Sequence, residues 1–245
     1  MRPYPSLAIA ACLTALLLLP AIALAQGAAP KPASLTASLG YVSSAGNSEV
    51  QTLTGADKLQ YRSGKWLLTQ EGEALWGTNA GVENAGRYLF GLRTDLEMSK
   101  RTAVYGLASW RRNVFGGVAR QFDEGVGLAY HAIVPNPQLL DFEAGVGLLQ
   151  RRNTLGQDES FSTGRLGAVY RYFFKEKTYF DVQGVYLANF ETTDDYEWDS
   201  KLSLVAPLSN TFAMKLGYTY HFRNVPPAGI EQWDSTFSAA IQATW

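Results

Sequence analysis

Apolar and polar side chains alternate along most of this chain, and this alternation restricts the folds that it can adopt. Between residues 211 and 223 the even positions are apolar, whereas the odd positions are small, polar or charged. Successive side chains of a β-strand point to opposite faces, so a period of two predicts strands with one apolar and one polar face. The pattern recurs in residues 87–97, 164–174 and 232–245, and a count of such segments predicts about 12 strands.

The positions of the aromatic residues favour a membrane barrel over a soluble β-sandwich. The polar faces carry glycine and charged residues in mid-strand, whereas the apolar faces are continuous and have aromatic residues near the turns. These aromatic residues are Trp66, Trp76, Tyr88, Tyr172, Phe174, Phe180, Phe190, Trp198, Phe212, Phe222, Trp233 and Trp245. Aromatic girdles are typical of outer-membrane barrels. Because backbone groups in lipid must pair within the protein, the sequence predicts an all-β fold, a closed antiparallel transmembrane β-barrel.

The connections between the predicted strands alternate between short turns and longer loops. The short ones read "SGK", "SKR", "PNPQ", "KEK" and "SN"; the long ones read "SAGNSE", "TNAGVENA", "FGGVA", "TLGQDES", "ETTDDYE" and "NVPPAGIE". Short turns are typical of the periplasmic side and longer loops of the outside. The long loops are acidic, which has two interpretations: cation bridges to lipopolysaccharide phosphates, or ordinary solvated loops. We favour the second, since charged loops are common on any protein surface.

The first residues have the features of a secretory signal peptide. Residues 1–25 combine Arg2, a central apolar stretch and small residues just before Gln26. We therefore expect a signal peptide over 1–25, a flexible leader over 26–34 and an outer-membrane β-barrel over 35–245. Cleavage before Gln26 would remove the single cysteine, and with it any disulfide or thiolate metal site. With 21 basic and 22 acidic residues, the chain gives no reason to expect nucleic acid as a partner.

The last predicted strand carries the features of an assembly signal. It ends in an aromatic residue and is apolar at alternate positions, namely Phe237, Ala239, Ile241 and Trp245. This pattern resembles the signal by which the barrel assembly machinery recognises outer-membrane substrates. We therefore expect this machinery, together with outer-membrane lipid and lipopolysaccharide, as partners. The last strand must also pair with the first one to remove the edge of the sheet.

Three segments spread over nearly the whole mature chain carry a family resemblance. They are the Gly46-Asn47 pair, the segment "RNVFGGVARQFDEGVGLAYH" and the segment "YHFRNVPPAGIEQWDS". Together they resemble the YdiY-like family, a domain of unknown function often labelled salt-induced outer membrane protein. The resemblance implies a barrel in the outer membrane and offers no established activity.

The two histidines of the chain do not fit the catalytic patterns of outer-membrane enzymes. Outer-membrane lipases and deacylases need a serine two residues after the histidine, so that the imidazole can deprotonate the hydroxyl. Here Ile133 follows His131 and Arg223 follows His221 at that spacing. We therefore expect a protein without catalytic, cofactor or metal residues. The alternative is an outer-membrane hydrolase or protease with a rim site near His221, close to Glu197.

Charged residues of both signs occupy the inward face of the predicted barrel. They are Lys58, Glu71, Glu73, Arg93, Asp95, Asp141, Glu143, Arg165, Arg171, Asp181, Glu197, Asp199, Lys201 and Lys215. Mixed signs can pair across the lumen and close it, whereas a channel for acidic sugars would have a one-sided basic lining. We therefore predict a non-enzymatic barrel with a structural or envelope-stress role, or else a narrow passive channel for small solutes.

A cluster of lumen charges is expected where the last three strands meet, at the outer end of the barrel. Same-face pairing of the strands 196–208 and 211–223 leaves two registers open, and His221 lies opposite either Glu197 or Asp199. The next strand is expected to place Asp234 opposite His221. Opposite charges on adjacent strands attract each other. The predicted members are Asp195, Glu197, Asp199, His221, Arg223 and Asp234.

The terminal aromatic residue provides a direct test of the assembly signal. We predict that deleting Trp245, or replacing it with Asp, reduces assembly into the outer membrane, because a charge there meets the aromatic girdle and alters the terminal signal. The measurement is the yield of protein whose gel mobility changes on heating, as expected for a closed barrel. Normal yield and normal heat modifiability of either variant would contradict the prediction.

Overall fold

The structure, a computed structural model, describes residues 32–44, 50–134 and 137–245. The expected signal peptide, most of the expected leader, the Gly46-Asn47 pair and the first two residues of the "PNPQ" turn lie outside the described residues. The barrel unit is Pro32–Trp245 and its first strand begins at Ala33, so the last three residues of the expected leader belong to this unit.

Twelve strands account for most of the described residues. They are β1 (Ala33–Ser44), β2 (Val50–Ser63), β3 (Trp66–Asn79), β4 (Val82–Glu97), β5 (Thr102–Asn113), β6 (Val118–Ile133), β7 (Gln138–Asn153), β8 (Asp158–Lys175), β9 (Thr178–Asn189), β10 (Tyr196–Pro207), β11 (Phe212–Arg223) and β12 (Trp233–Thr244). The described part of the chain includes no helix that is long and apolar enough to span a membrane.

The twelve strands form one closed antiparallel barrel. Each strand pairs with its neighbours in sequence, and β1 pairs with β12 to close the sheet. At this closure Leu39 lies opposite Ile241, and the N–H of Trp245 donates to the carbonyl of Leu35 at 2.9 Å. Closure gives the edge strands partners, which is the requirement for a sheet inside lipid. The predicted fold class and strand number are confirmed.

The two faces of the barrel differ as the alternation predicts. Large apolar side chains are exposed on the outside, among them Leu39, Val126, Leu128, Leu166 and Phe237. Most of the charged residues in the strands point into the lumen, where several are almost fully buried. The proposed assembly-signal residues Phe237, Ala239 and Ile241 lie on the outward face of β12, and Trp245 directly follows this strand. A continuous apolar outer face is stable only against lipid.

One predicted loop is wrong. The segment "TNAGVENA", expected to be a long outer loop, instead continues β3 and β4, which are joined by the two residues Ala80 and Gly81. Their φ angles are 49° and 74°, and positive φ at both central residues is the geometry of the tightest hairpin turns. Gly81 adopts this conformation without steric cost, so the strands extend past the expected boundary.

Candidate functional site: ion pairs across the barrel lumen

Arg151 on β7 is the centre of a buried cluster of ion pairs at the outer end of the lumen. Its side chain is fully buried and forms an ion pair with Glu197 on β10. The Nη2 atom of Arg151 lies 2.5 Å from Oε2 of Glu159 and 3.4 Å from Oδ2 of Asp195. One guanidinium group therefore contacts three carboxylates, which is the arrangement that a buried arginine needs.

Arg223 on β11 shares the same three carboxylates. Its Nη2 atom lies 3.4 Å from Glu159, while Nε lies 3.7 Å from Asp195 and 4.0 Å from Glu197. Arg223 and Glu197 are only 6% and 5% exposed. Two cations and three anions thus occupy one water-poor space, in which each charge depends on the others.

Arg111 on β5 extends this cluster across the lumen. Its Nη2 atom donates to Oδ2 of Asp199 on β10 at 2.9 Å, and its Nη1 atom lies 3.7 Å from Glu197. In the closed ring of twelve strands β5 and β10 lie on nearly opposite sides. The Arg111–Asp199 contact therefore bridges the lumen from wall to wall. His221 joins it through a hydrogen bond between its Nδ1 and Oδ1 of Asp199, at 2.8 Å.

Five of the six residues predicted for the cluster interact with it. The strands β10 and β11 adopt the register that sets Asp199 opposite His221 and Glu197 opposite Arg223. Asp234 lies opposite His221, as expected. Its carboxylate, however, forms no ion pair or hydrogen bond with any other described residue.

Sequence reasoning missed Arg111, Arg151 and Glu159, although they hold the cluster together. Alternation alone would have placed all three on the inward face, because they share parity with buried residues such as Tyr105, Leu149 and Phe161. Their partners lie up to 88 positions away in the chain. Contacts across a lumen depend on barrel radius and strand tilt, which local pairing rules do not supply.

A second network lies deeper in the lumen. Arg93 on β4 contacts Asp95 at 2.8 Å and Glu143 on β7 at 2.5 Å. Arg165 on β8 contacts the same Glu143 at 3.0 Å, and the ring of Tyr105 lies 4.2 Å from the guanidinium carbon of Arg93. These arginines fill the β4–β8 side of the lumen with paired charges.

Lys201 and Glu73 form a second bridge across the lumen. Lys201 on β10 pairs with Glu73 on β3, and these strands again lie nearly opposite each other in the ring. Beside this bridge Lys58 pairs with Glu71 at 2.8 Å. The two bridges leave one side of the lumen, formed by β1, β12 and the adjoining stretches 51–56 of β2 and 212–219 of β11, without ion pairs among the described residues.

This side, which we name the seam wall, is lined mainly by uncharged polar residues. It borders a cavity of about 370 Å³ and includes Thr36, Ser38, Thr54, Thr219, Thr236, Ser238 and Gln242. Lys215 on β11 also faces this cavity and has no ion-pair partner within the described residues. A second cavity of about 490 Å³ lies on the charged side.

The connection between β11 and β12 covers the outer mouth. Its residues Pro227 and Ile230 pack against Gly117, which lies in the connection between β5 and β6 on the opposite side of the ring. A Cβ atom at Gly117 would lie 3.0 Å from Cγ of Pro227 and 3.1 Å from Cγ1 of Ile230. The β11–β12 loop (Asn224–Gln232) therefore reaches across the mouth, above the buried cluster.

The histidines are bound to carboxylates and not to hydroxyl groups. His131 lies 2.8 Å from Asp141 near the periplasmic end, and His221 lies 2.8 Å from Asp199. Among the residues that the structure describes, no serine or threonine hydroxyl forms a hydrogen bond with either imidazole. The same residues contain no group of three or more potential ligands arranged to hold a metal ion.

These features define the class of the protein. A closed twelve-strand antiparallel barrel, apolar and aromatic outside and polar inside, is an outer-membrane β-barrel. The outer membrane is therefore its location.

The family follows from a match over most of the sequence. A family model described as "Protein of unknown function, DUF481" matches residues 37–245, so the chain belongs to this family. It is the YdiY-like family, and the resemblance drawn from sequence is confirmed. No curated protein matches the chain.

Solved structures with a similar fold are also outer-membrane barrels. The translocator domain of the autotransporter NalP from Neisseria meningitidis has a TM-score of 0.50 at 14% identity, with 98% of this chain and 97% of that chain covered. An outer membrane channel from Pseudomonas putida F1 has a TM-score of 0.52 at 7% identity, with 91% and 99% covered. At such identities the similarity concerns the fold.

The two adjacent arginines at the end of β7 provide a matched test of the cluster. We predict that Arg151→Ala lowers the free energy of unfolding by about 3–5 kcal/mol, because it removes the closest counter-charge of Glu159 and Glu197 and leaves three carboxylates with the longer contacts to Arg223. Arg152→Ala should change it by less than about 1 kcal/mol, since Arg152 is exposed and lies 3.8 Å from the exposed Asp158. Denaturant unfolding in lipid vesicles measures both values. Equal effects of the two substitutions would contradict the buried cluster.

Proposed function

We propose that this protein is a narrow passive channel for small polar solutes, without enzymatic activity. The observation that carries the proposal is the cavity of about 370 Å³ along the seam wall, which the ion pairs of the lumen leave unfilled. A barrel with a purely structural interior would gain stability by filling this space, because cavities cost packing energy. An unfilled polar cavity instead provides room for water and small solutes.

The lining of the seam wall fits uncharged or anionic solutes that carry hydroxyl groups. Serine, threonine and glutamine side chains both donate and accept hydrogen bonds, so they can replace the water around such a solute. Lys215 adds a positive charge without a carboxylate partner among the described residues. It lines the same cavity as Lys201 and Glu73, where its charge favours anions.

Passage through the lumen requires movement at the outer end. The β11–β12 loop and the Arg111–Asp199 bridge together obstruct the mouth in this structure. Loops are more mobile than the strands they connect, and this loop contacts Gly117 through Pro227 and Ile230. We infer that displacement of this loop opens the path along the seam wall.

Catalysis is the less favoured alternative. The hydrolase or protease considered from sequence would need a nucleophile beside Nε2 of His221, because its Nδ1 is bonded to Asp199, which also binds Arg111. No hydroxyl nucleophile within the described residues is bonded to this imidazole. The arrangement supports a structural role for His221 in the lumen bridge.

A structural or envelope-stress role is the second candidate. It is favoured by the number of ion pairs that brace opposite walls and by the covered mouth. In either role we expect outer-membrane lipid and lipopolysaccharide around the barrel, and the barrel assembly machinery as the partner that inserts it. The terminal residues Phe237, Ala239, Ile241 and Trp245 would present the signal.

Conductance through planar bilayers separates the two candidates. We predict small single-channel currents for the wild type and larger ones after deletion of residues 226–230 combined with Arg111→Ala, because both obstructions are then removed. Lys215→Gln should reduce the preference for anions in a salt gradient. Arg152→Ala, at the exposed end of β7, should leave the currents unchanged. Absence of current in the wild type and in the opened variant would reject the channel and leave the structural role.

A further inference from the structure

Asp57 places a carboxyl group on the outward face near the middle of β2. It shares strand parity with Leu59 and Tyr61, whose side chains are 39% and 48% exposed on the outer surface. The neighbouring Lys58 points inward and pairs with Glu71. In an outer-membrane barrel, Asp57 therefore faces the hydrocarbon layer, far from both rims.

Asp57 has no polar partner within its own barrel. It forms no hydrogen bond or ion pair with any residue that the structure describes, and its cross-strand neighbours are Ala37 and Gly72. Ionisable groups inside membranes are unfavourable and rare, and those that occur face a partner or a function. Within the described residues the carboxyl of Asp57 is therefore available to a donor from outside the barrel.

Gln70 on β3 supplies a hydrogen-bond donor beside this acceptor. It shares the outward face with Trp66 and Leu68, which are 52% and 45% exposed. A Cβ atom at Gly72 would contact Oδ1 of Asp57 and would lie 3.5 Å from Nε2 of Gln70. The carboxyl and the amide thus flank a single glycine, yet they form no hydrogen bond with each other.

The surface beside Asp57 is low. Four outward positions next to these two groups are Ala37, Gly55, Gly72 and Ala74, while the larger Leu59 and Leu92 lie opposite Gln70 on the flanking strands. Small residues let two backbones approach closely inside a membrane. We call the six residues Ala37, Gly55, Asp57, Gln70, Gly72 and Ala74 the Asp57 patch.

We propose that the Asp57 patch is the interface between two copies of this chain. Asp57 of each copy accepts a hydrogen bond from the side-chain amide of Gln70 of the other copy. A twofold axis along the membrane normal brings together groups at equal depth, and it forms each contact twice. A symmetric interface of this kind needs a hydrogen-bond acceptor and a donor on the same surface, and Asp57 and Gln70 provide them on either side of Gly72. A second copy thereby satisfies both polar groups, which lipid does not do.

Cross-linking in outer membranes tests the geometry. In a Cys12→Ser background, Ala74→Cys introduces one thiol within the patch, and Ala144→Cys introduces one on the outward face of β7. A bifunctional thiol reagent should convert the Ala74→Cys protein into a dimer of twice the mass and leave the Ala144→Cys protein monomeric. Equal cross-linking at both positions, or cross-linking of Ala74→Cys only to a different protein, would overturn the proposal.

Association in lipid vesicles tests the chemistry. Asp57→Leu and Gln70→Leu should each weaken the dimer by about tenfold, because either one removes both symmetry-related hydrogen bonds. The double variant should be no weaker than the single ones. Asp57→Asn retains an acceptor and should retain the dimer.

Glu124→Leu is the matched control, because Glu124 is an exposed outward carboxylate on β6, outside the patch. It should leave the dissociation constant unchanged. Heat modifiability of every variant verifies folding, which Leu at position 57 should preserve because leucine is common on this face. A wild type that is monomeric at all protein-to-lipid ratios, or equal effects of Asp57→Leu and Glu124→Leu, would overturn the proposal.

Discussion

The pairing of β1 with β12 is the constraint on which the rest of the structure depends. In lipid no water is present to satisfy free backbone groups, so a sheet is stable there only when its two edges meet. Once the ring is closed, strand alternation assigns every side chain to lipid or to lumen. The apolar outer face and the charged interior are therefore two consequences of a single closure, and a shift of register by one residue would exchange them.

The closed ring also explains why so many charges are tolerated inside. Charges confined in the lumen are stabilised by counter-charges, and Arg151, Arg223 and Arg111 meet theirs within a single cluster. The bridges Arg111–Asp199 and Lys201–Glu73 divide this interior into a side filled with paired charges and a side lined by hydroxyl groups. The proposed channel function depends on this division.

The sequence predicts what depends on neighbouring strands and fails where contacts depend on three-dimensional closure. Alternation predicted the barrel. Same-face pairing across the short β10–β11 turn limited the residue opposite His221 to Glu197 or Asp199. Arg111 and Arg151 were missed, because barrel radius and tilt determine which walls meet. The hairpin at Ala80 and Gly81 was missed because its residues resemble a loop, although positive φ at two successive positions also makes a tight turn. Alternation places Asp57 on the outward face, but only the structure shows that its carboxyl has no partner among the described residues.

The central claim is that ion pairs join opposite walls of the lumen, and a double-mutant cycle on Arg111 and Asp199 tests it most directly. The free energies of unfolding of Arg111→Ala, Asp199→Ala and the double variant would be measured in lipid vesicles. The bridge predicts a coupling energy above about 1 kcal/mol between these residues, which are 88 positions apart in sequence. If the effects of the two single substitutions sum to that of the double variant within about 0.5 kcal/mol, the contact is contradicted. The conclusion that ion pairs join opposite walls of the lumen would then be contradicted too.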